Sequence, residues 1–237
     1  MHVDIFTDMT KQKITIAIDG FSSTGKSTIA KALAKELNYI YVDTGAMYRA
    51  VTLYAMQNNY ISSDSFNPTQ LINDLDKVKL SFTFNETLGF AEMYLNNTNV
   101  EKEIRTIEVS KLVSKVAAIS EVRKKLVSEQ QEMGKEKGIV MDGRDIGTVV
   151  FPDAELKLFM TASADKRAKR RYKELIDRGD NVNYEEILHN VQERDRIDST
   201  REDSPLIKAE DAIEFDNSDM GLKEQFERVM TLVKDRL

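Results

Sequence analysis

Cysteine is absent from all 237 residues, so disulfides, thiolate zinc sites and a cysteine nucleophile are excluded. Histidine occurs only as His2 and His189, far apart and without a partner motif, which leaves no basis for a histidine metal site or an imidazole base. Positive charge is not in excess either: a net charge of −6 argues against broad binding to a nucleic-acid backbone. No apolar run approaches the length of a membrane span, and the start, Met1-His2-Val3-Asp4, lacks the charged-then-apolar layout of a signal peptide. A cytoplasmic chain with no membrane contact is therefore expected. Residues 1–12 precede the first predicted strand without a clear pattern, and Met9 is an alternative start. The length suits one large domain, or one domain with an insertion, able to bury a full core.

What the chain does have is Gly20-Phe21-Ser22-Ser23-Thr24-Gly25-Lys26-Ser27-Thr28, a match to the G-x-x-x-x-G-K-[ST] pattern of a phosphate-binding loop. The apolar β-branched run Ile14–Ile18 precedes it and reads as a buried strand. Strong helix formers follow from Ile29, with Ile29, Leu33 and Leu37 on one face. Strand, glycine loop and helix together turn a string match into a site. Backbone N–H groups curl around an anion, the helix N-terminus adds partial positive charge and Lys26 a full one, and Ser27 is placed to ligate Mg²⁺. Such a chain binds a nucleoside triphosphate.

Further strands are predicted at Tyr39–Val42, Gly138–Asp142, Leu156–Met160 and Ala212–Phe215, each separated from the next by helical pattern. Five short strands with intervening helices call for a parallel sheet, an α/β fold of the P-loop NTPase type with three layers. The second strand runs into Asp43-Thr44-Gly45-Ala46-Met47-Tyr48-Arg49, where Thr44 can cap a helix reaching about Gln57. Arg49, one turn in, could reach an anion at this corner; a solvated helix arginine is the alternative. Asp142 ends an apolar strand and suits a Walker-B-like role toward Mg²⁺, the alternative being a turn aspartate before Arg144 and Asp145. Between residues 62 and 100 the rhythm changes. Leu71, Leu75 and Val78 suggest a short helix, then two alternating runs around Asn85–Gly89 suggest an antiparallel hairpin, hence a small inserted subdomain. From Glu101 to about Lys137 the pattern is helical and highly charged, and Glu224–Leu237 is a closing amphipathic helix.

Arginine is dense over Asp165–Arg171 and again over Arg194–Arg201, with acidic residues such as Glu174, Asp177 and Glu193 interleaved. The interleaving argues against a nucleic-acid surface. A triphosphate-binding protein has a use for such a segment as a hinged lid that carries guanidinium groups over the phosphates.

These motifs together resemble those of bacterial-type cytidylate kinases, over almost the whole stretch from Lys13 to Leu237. The carrying segments are Asp19–Thr28, Asp43–Arg49, Asp142-Gly143-Arg144-Asp145-Ile146-Gly147-Thr148-Val149-Val150-Phe151-Pro152, and Arg194-Asp195 with Asp198 and Arg201 before Pro205-Leu206. Phe21 departs from the family's usual proline, which implies a less pre-stiffened loop. The resemblance implies a kinase core over 13–61 and 101–237 with a lid at about 165–201, and a monophosphate-binding insert over 62–100. It implies transfer of the γ-phosphoryl of ATP to CMP or dCMP with Mg²⁺ as cofactor, held by Ser27 and Asp142. Lys26, Arg144, Arg170 and Arg194 are then the catalytic cations, with Arg167 and Arg171 beside Arg170 on the lid. Arg49, Arg144 and Arg194 clamp the acceptor phosphate, and Asp145 takes the cytosine amino group, with Ser114, Arg123 and Arg201 around the base. Asp198 lies near the ribose with Arg194, and Thr44 is an extra contact. A monomer is expected.

The implied reaction agrees with the residues. A phosphate acceptor with a second pKa of about 6 is already largely ionised, so no general base is needed. Two rivals stay weaker: a kinase of another monophosphate or of a metabolite such as shikimate, against which the D-G-R-D stretch and the insert weigh, and a GTP switch, for which an N-K-x-D segment is missing.

Overall fold

The computed structural model describes residues 13–237; the opening segment, with His2 and Met9, lies outside the described residues. In chain order the elements begin with β1 (Thr15–Gly20), α1 (Lys26–Leu37), β2 (Ile40–Asp43), α2 (Thr44–Gln57) and α3 (Pro68–Asn73). Then come β3 (Leu80–Asn85), β4 (Phe90–Leu95), β5 (Thr98–Asn99), α4 (Ile107–Ala117), α5 (Ser120–Met133) and β6 (Ile139–Gly143). After a single π-type turn at Ile146–Val150 the chain continues through β7 (Leu156–Thr161), α6 (Ala164–Asp177), α7 (Tyr184–Thr200), β8 (Ile213–Asp216) and α8 (Leu222–Lys234).

Five strands pair in the order β2-β6-β1-β7-β8, all parallel, which is the sheet expected from the sequence. Side chains on β1 alternate between two apolar clusters. Ile16 and Ile18 pack with Ile29 and Leu33 of α1 and Val229 and Val233 of α8, whereas Ala17 joins the cluster of α2, α4 and α5 on the opposite face. Helices on both faces of a parallel sheet make three layers and explain why β1 and β6 are buried throughout. Among the described residues no helix is long and apolar enough to cross a membrane.

The insert forms a three-stranded antiparallel sheet rather than a plain hairpin. Asn96 and Asn97 take positive φ angles of 49° and 66° and reverse the chain so that β5 returns along β4. Leu71, Val78, Met93 and Leu95 of this segment belong to the same apolar cluster as α2 and α4, so the insert shares the core.

Two local expectations are corrected. Thr44 does not cap α2: the cap is Asp43, whose carboxylate accepts the Ala46 N–H at 3.0 Å. Thr44 is already helical, and its hydroxyl donates to the Asp142 carbonyl at 2.7 Å, tying α2 to β6. The helical stretch after Glu101 is also broken in two, because Ile119 turns extended between α4 and α5. Buried Arg123 compensates by donating to the Ala117 carbonyl at 3.1 Å, a group the helix end leaves free.

Candidate active site

Phosphate-loop geometry follows from its glycines. Gly20 has φ +142°, and a Cβ there would lie 2.1 Å from the Met160 carbonyl oxygen of the neighbouring strand. Gly25 has φ +92° and starts α1. Phe21, where a proline would pre-stiffen the turn, packs edge-on against Phe159 at 6.2 Å and under the Arg167 guanidinium at 5.1 Å. The loop carbonyls are tied outward. Arg167 donates to Ser22 at 3.3 Å, while Arg170 and Asn217 donate to Thr24 at 3.2 and 2.6 Å.

Lys26 is buried, with its ammonium 2.6 Å from the Phe21 carbonyl. Burial, reinforced by Arg144, pushes its pKa down to about 7. Beside it Asp142 accepts from Ser27 at 3.0 Å and from Tyr41 at 2.8 Å. Burial and the neighbouring Asp43 push the Asp142 carboxyl up to about 6. The Ser27 hydroxyl and Asp142 carboxylate form a hard oxygen pair, and the raised pKa marks a place where a cation would relieve charge strain, so the residues fit Mg²⁺. Lys26, Ser27 and Asp142 line a cleft of about 500 Å³ that also includes Arg144, Arg171 and Arg194.

A second cavity opens onto this cleft and shares Gly45, Arg49, Gly143, Arg144 and Arg194 with it. Thr44, Ser114, Arg123, Asp145, Asp198 and Arg201 complete its expected lining, so the residues singled out as the acceptor site meet in one place. Asp145 is ion-paired with Arg123, both almost fully buried, and that guanidinium stacks on Tyr48 at 5.4 Å. Asp198 accepts from Ser114 at 3.0 Å and Arg144 at 2.9 Å. Burial opposes its ionisation, but Arg144, Arg194 and Arg201 hold it below the usual carboxylate range. Arg194 lies among like charges, and burial, then Arg144, lowers its pKa to about 10. Among the described residues its Nε has no hydrogen-bond partner, nor does the Tyr48 hydroxyl or the Arg171 Nη2. Buried donors left free beside a cleft are groups awaiting an acceptor.

Arg170 faces the loop backbone and Asn217, whereas Arg171 and Arg178 line the phosphate cleft. Arg167 is committed to Asp195 through both Nη atoms at 2.9 and 2.6 Å, which joins α6 to α7. Sequence reasoning also missed Tyr41, Tyr48, Asn217 and Asp19. Tyr48 and Asp19 both lie inside the motif segments, without a role of their own; Tyr41 and Asn217 carry no local signal, since their partners are 101 and 193 residues away.

A phosphate loop at the C-terminal ends of parallel strands, joined to a second cavity lined by arginines, defines a P-loop kinase. The family model described as cytidylate kinase matches residues 16–235, and the chain belongs to that family. It is 69% identical to the cytidylate kinase of Flavobacterium johnsoniae over 94% of this chain and 97% of that one. It is 57% identical to the cytidylate kinase of Bacteroides fragilis over 92% and 96% of the two chains.

Proposed function

We propose that this protein transfers the γ-phosphoryl group of ATP to the 5′-phosphate of CMP or dCMP, giving ADP and CDP or dCDP. The observation that carries the reading is the junction of the two cavities, where Arg49, Arg144 and Arg194 face both. An acceptor phosphate there stands next to the phosphate loop, with its base directed toward Asp145. An oxygen of that phosphate attacks the γ-phosphorus. The bond from phosphorus to the β,γ-bridging oxygen breaks, and ADP leaves with the electron pair.

The residues act by placement and charge. Lys26 holds the β- and γ-phosphates, and Arg144, Arg194 and Arg171 neutralise charge on the transferring group. On the lid helix Arg171 rather than Arg170 serves the phosphates, because it lines the cleft and its buried Nη2 has no partner among the described residues. Ser27 and Asp142 would hold Mg²⁺, which when bound screens phosphate charge. The Asp145 carboxylate accepts from the cytosine amino group; a uracil would set a carbonyl against it, at a cost of about 1–3 kcal/mol.

The direct test is to incubate the protein with γ-labelled ATP, Mg²⁺ and CMP and identify the labelled product. Label in CDP supports the reading; label only in inorganic phosphate contradicts it.

A further inference from the structure

The backbone amides that follow Asp145 are held from behind by a side chain belonging to neither cavity. Asp19 is the last residue but one of β1, directly before the phosphate loop's first glycine, and it is only 5% exposed. Its two carboxylate oxygens accept the N–H groups of Ile146 at 2.8 Å and Gly147 at 2.7 Å. Those are the first amides of the π-type turn, and Asp145 sits directly before them in an irregular conformation, φ −146° and ψ 25°. A π-type turn is intrinsically unfavoured, so an outside acceptor is needed to keep its opening amides oriented. The fit is close. A Cβ on Gly147 would lie 3.1 Å from the Lys157 side chain and 3.4 Å from the Asp19 carboxylate.

We propose that Asp19 is a positioning residue for base recognition: it fixes the turn that aims Asp145 and its partner Arg123 into the acceptor cavity. This rests on Asp145 being the reader of cytosine. One strand then serves both substrates, since β1 feeds the phosphate loop at its end and sets the base reader through the same last side chain but one. Asp19 touches neither substrate cavity, and its effect reaches the base through the turn.

The test compares Asp19→Asn, Gly147→Ala and Asp145→Ala with the parent protein. The readout is the ratio of kcat/KM for CMP to that for UMP, measured at saturating ATP. Asp19 also lies near Lys26, so Asp19→Asn will disturb ATP binding as well; the ratio cancels that part. Gly147→Ala leaves every charge in place; its added methyl presses first on the Lys157 side chain and then on the Asp19 carboxylate behind the turn. The ratio is expected to fall about tenfold in Asp19→Asn and less, in the same direction, in Gly147→Ala. The KM for ATP in Gly147→Ala should stay within about twofold of the parent, which a general loss of structure would not allow. An unchanged ratio in the folded variants overturns the proposal, and if Asp19→Asn fails to fold, Gly147→Ala decides alone. Should Asp145→Ala destroy discrimination while the other two keep it, Asp19 is no positioning residue although the base reader stands. Should Asp145→Ala keep discrimination, the reading of the base falls, and the proposal with it.

Discussion

At the scale of single residues the site is governed by buried cations that crowd one another. Arg144 and Arg194 each face both cavities, and the Arg194 pKa is depressed by burial and by Arg144. A dianionic phosphate between them would relieve that crowding, and planar guanidinium forks suit it bidentately where point charges do not. Arg144→Lys and Arg194→Lys are each expected to lower kcat/KM for CMP by about 100-fold while a fluorescent ATP analogue binds with little change. Lys26 adds a pH signature. Its pKa of about 7 in the fold, against an ordinary value of 10.5, leaves it mostly neutral at pH 8, and phosphates will restore its charge. ATP binding at pH 8 should therefore take up close to one proton, seen by calorimetry in buffers of different ionisation enthalpy. Between pH 7 and 10 the unfolded chain binds more protons at this group than the fold does. Its contribution to stability thus rises with pH across that window.

At the scale of elements, the phosphate loop is braced by the lid helix α6 and by the turn after β8. Asn217 is fully buried and donates to both the Thr24 carbonyl and Gln225, while accepting from Arg170. Asn217→Ala is expected to cost about 1–3 kcal/mol in thermal or denaturant unfolding and to raise the KM for ATP more than that for CMP. A change confined to the CMP side would contradict this bracing role. The five strands and the loop–helix unit were legible because β1, β6 and β7 are short apolar runs followed by strong punctuation. Thr44 was misread as a cap because Asp43 and Thr44 are both good caps, and only the β2–β6 register, which sets Asp43 beside Asp142, decides between them. Arg167, Arg170 and Arg171 could be assigned to a lid from their density. Which of them faces the phosphates depends on helical phase against the loop, and local pattern does not carry that.

Across the whole molecule, the three-layer core carries two ligand cavities that meet at the ends of β2, β6 and β1. The insert's sheet packs into the same core as α2, and its Phe90 ring lies under Lys31 of α1 at 3.8 Å. The acceptor lining draws on α2, α4, α5, α7 and the segment after β6, so its residues lie up to 157 positions apart, from Thr44 to Arg201. Spacing alone does not assemble such a set. The family's motif segments hold most of them, Ser114 and Arg123 come only from the wider resemblance, and the fold brings the set to one cavity. The measurement that most directly tests the account is the turnover of CMP, dCMP, UMP, AMP, GMP and dTMP in a coupled ADP-release assay with ATP and Mg²⁺. The account predicts fast turnover confined to CMP and dCMP, with UMP at least about tenfold poorer in kcat/KM. Equal efficiency with UMP, or a preference for a purine monophosphate, would contradict it.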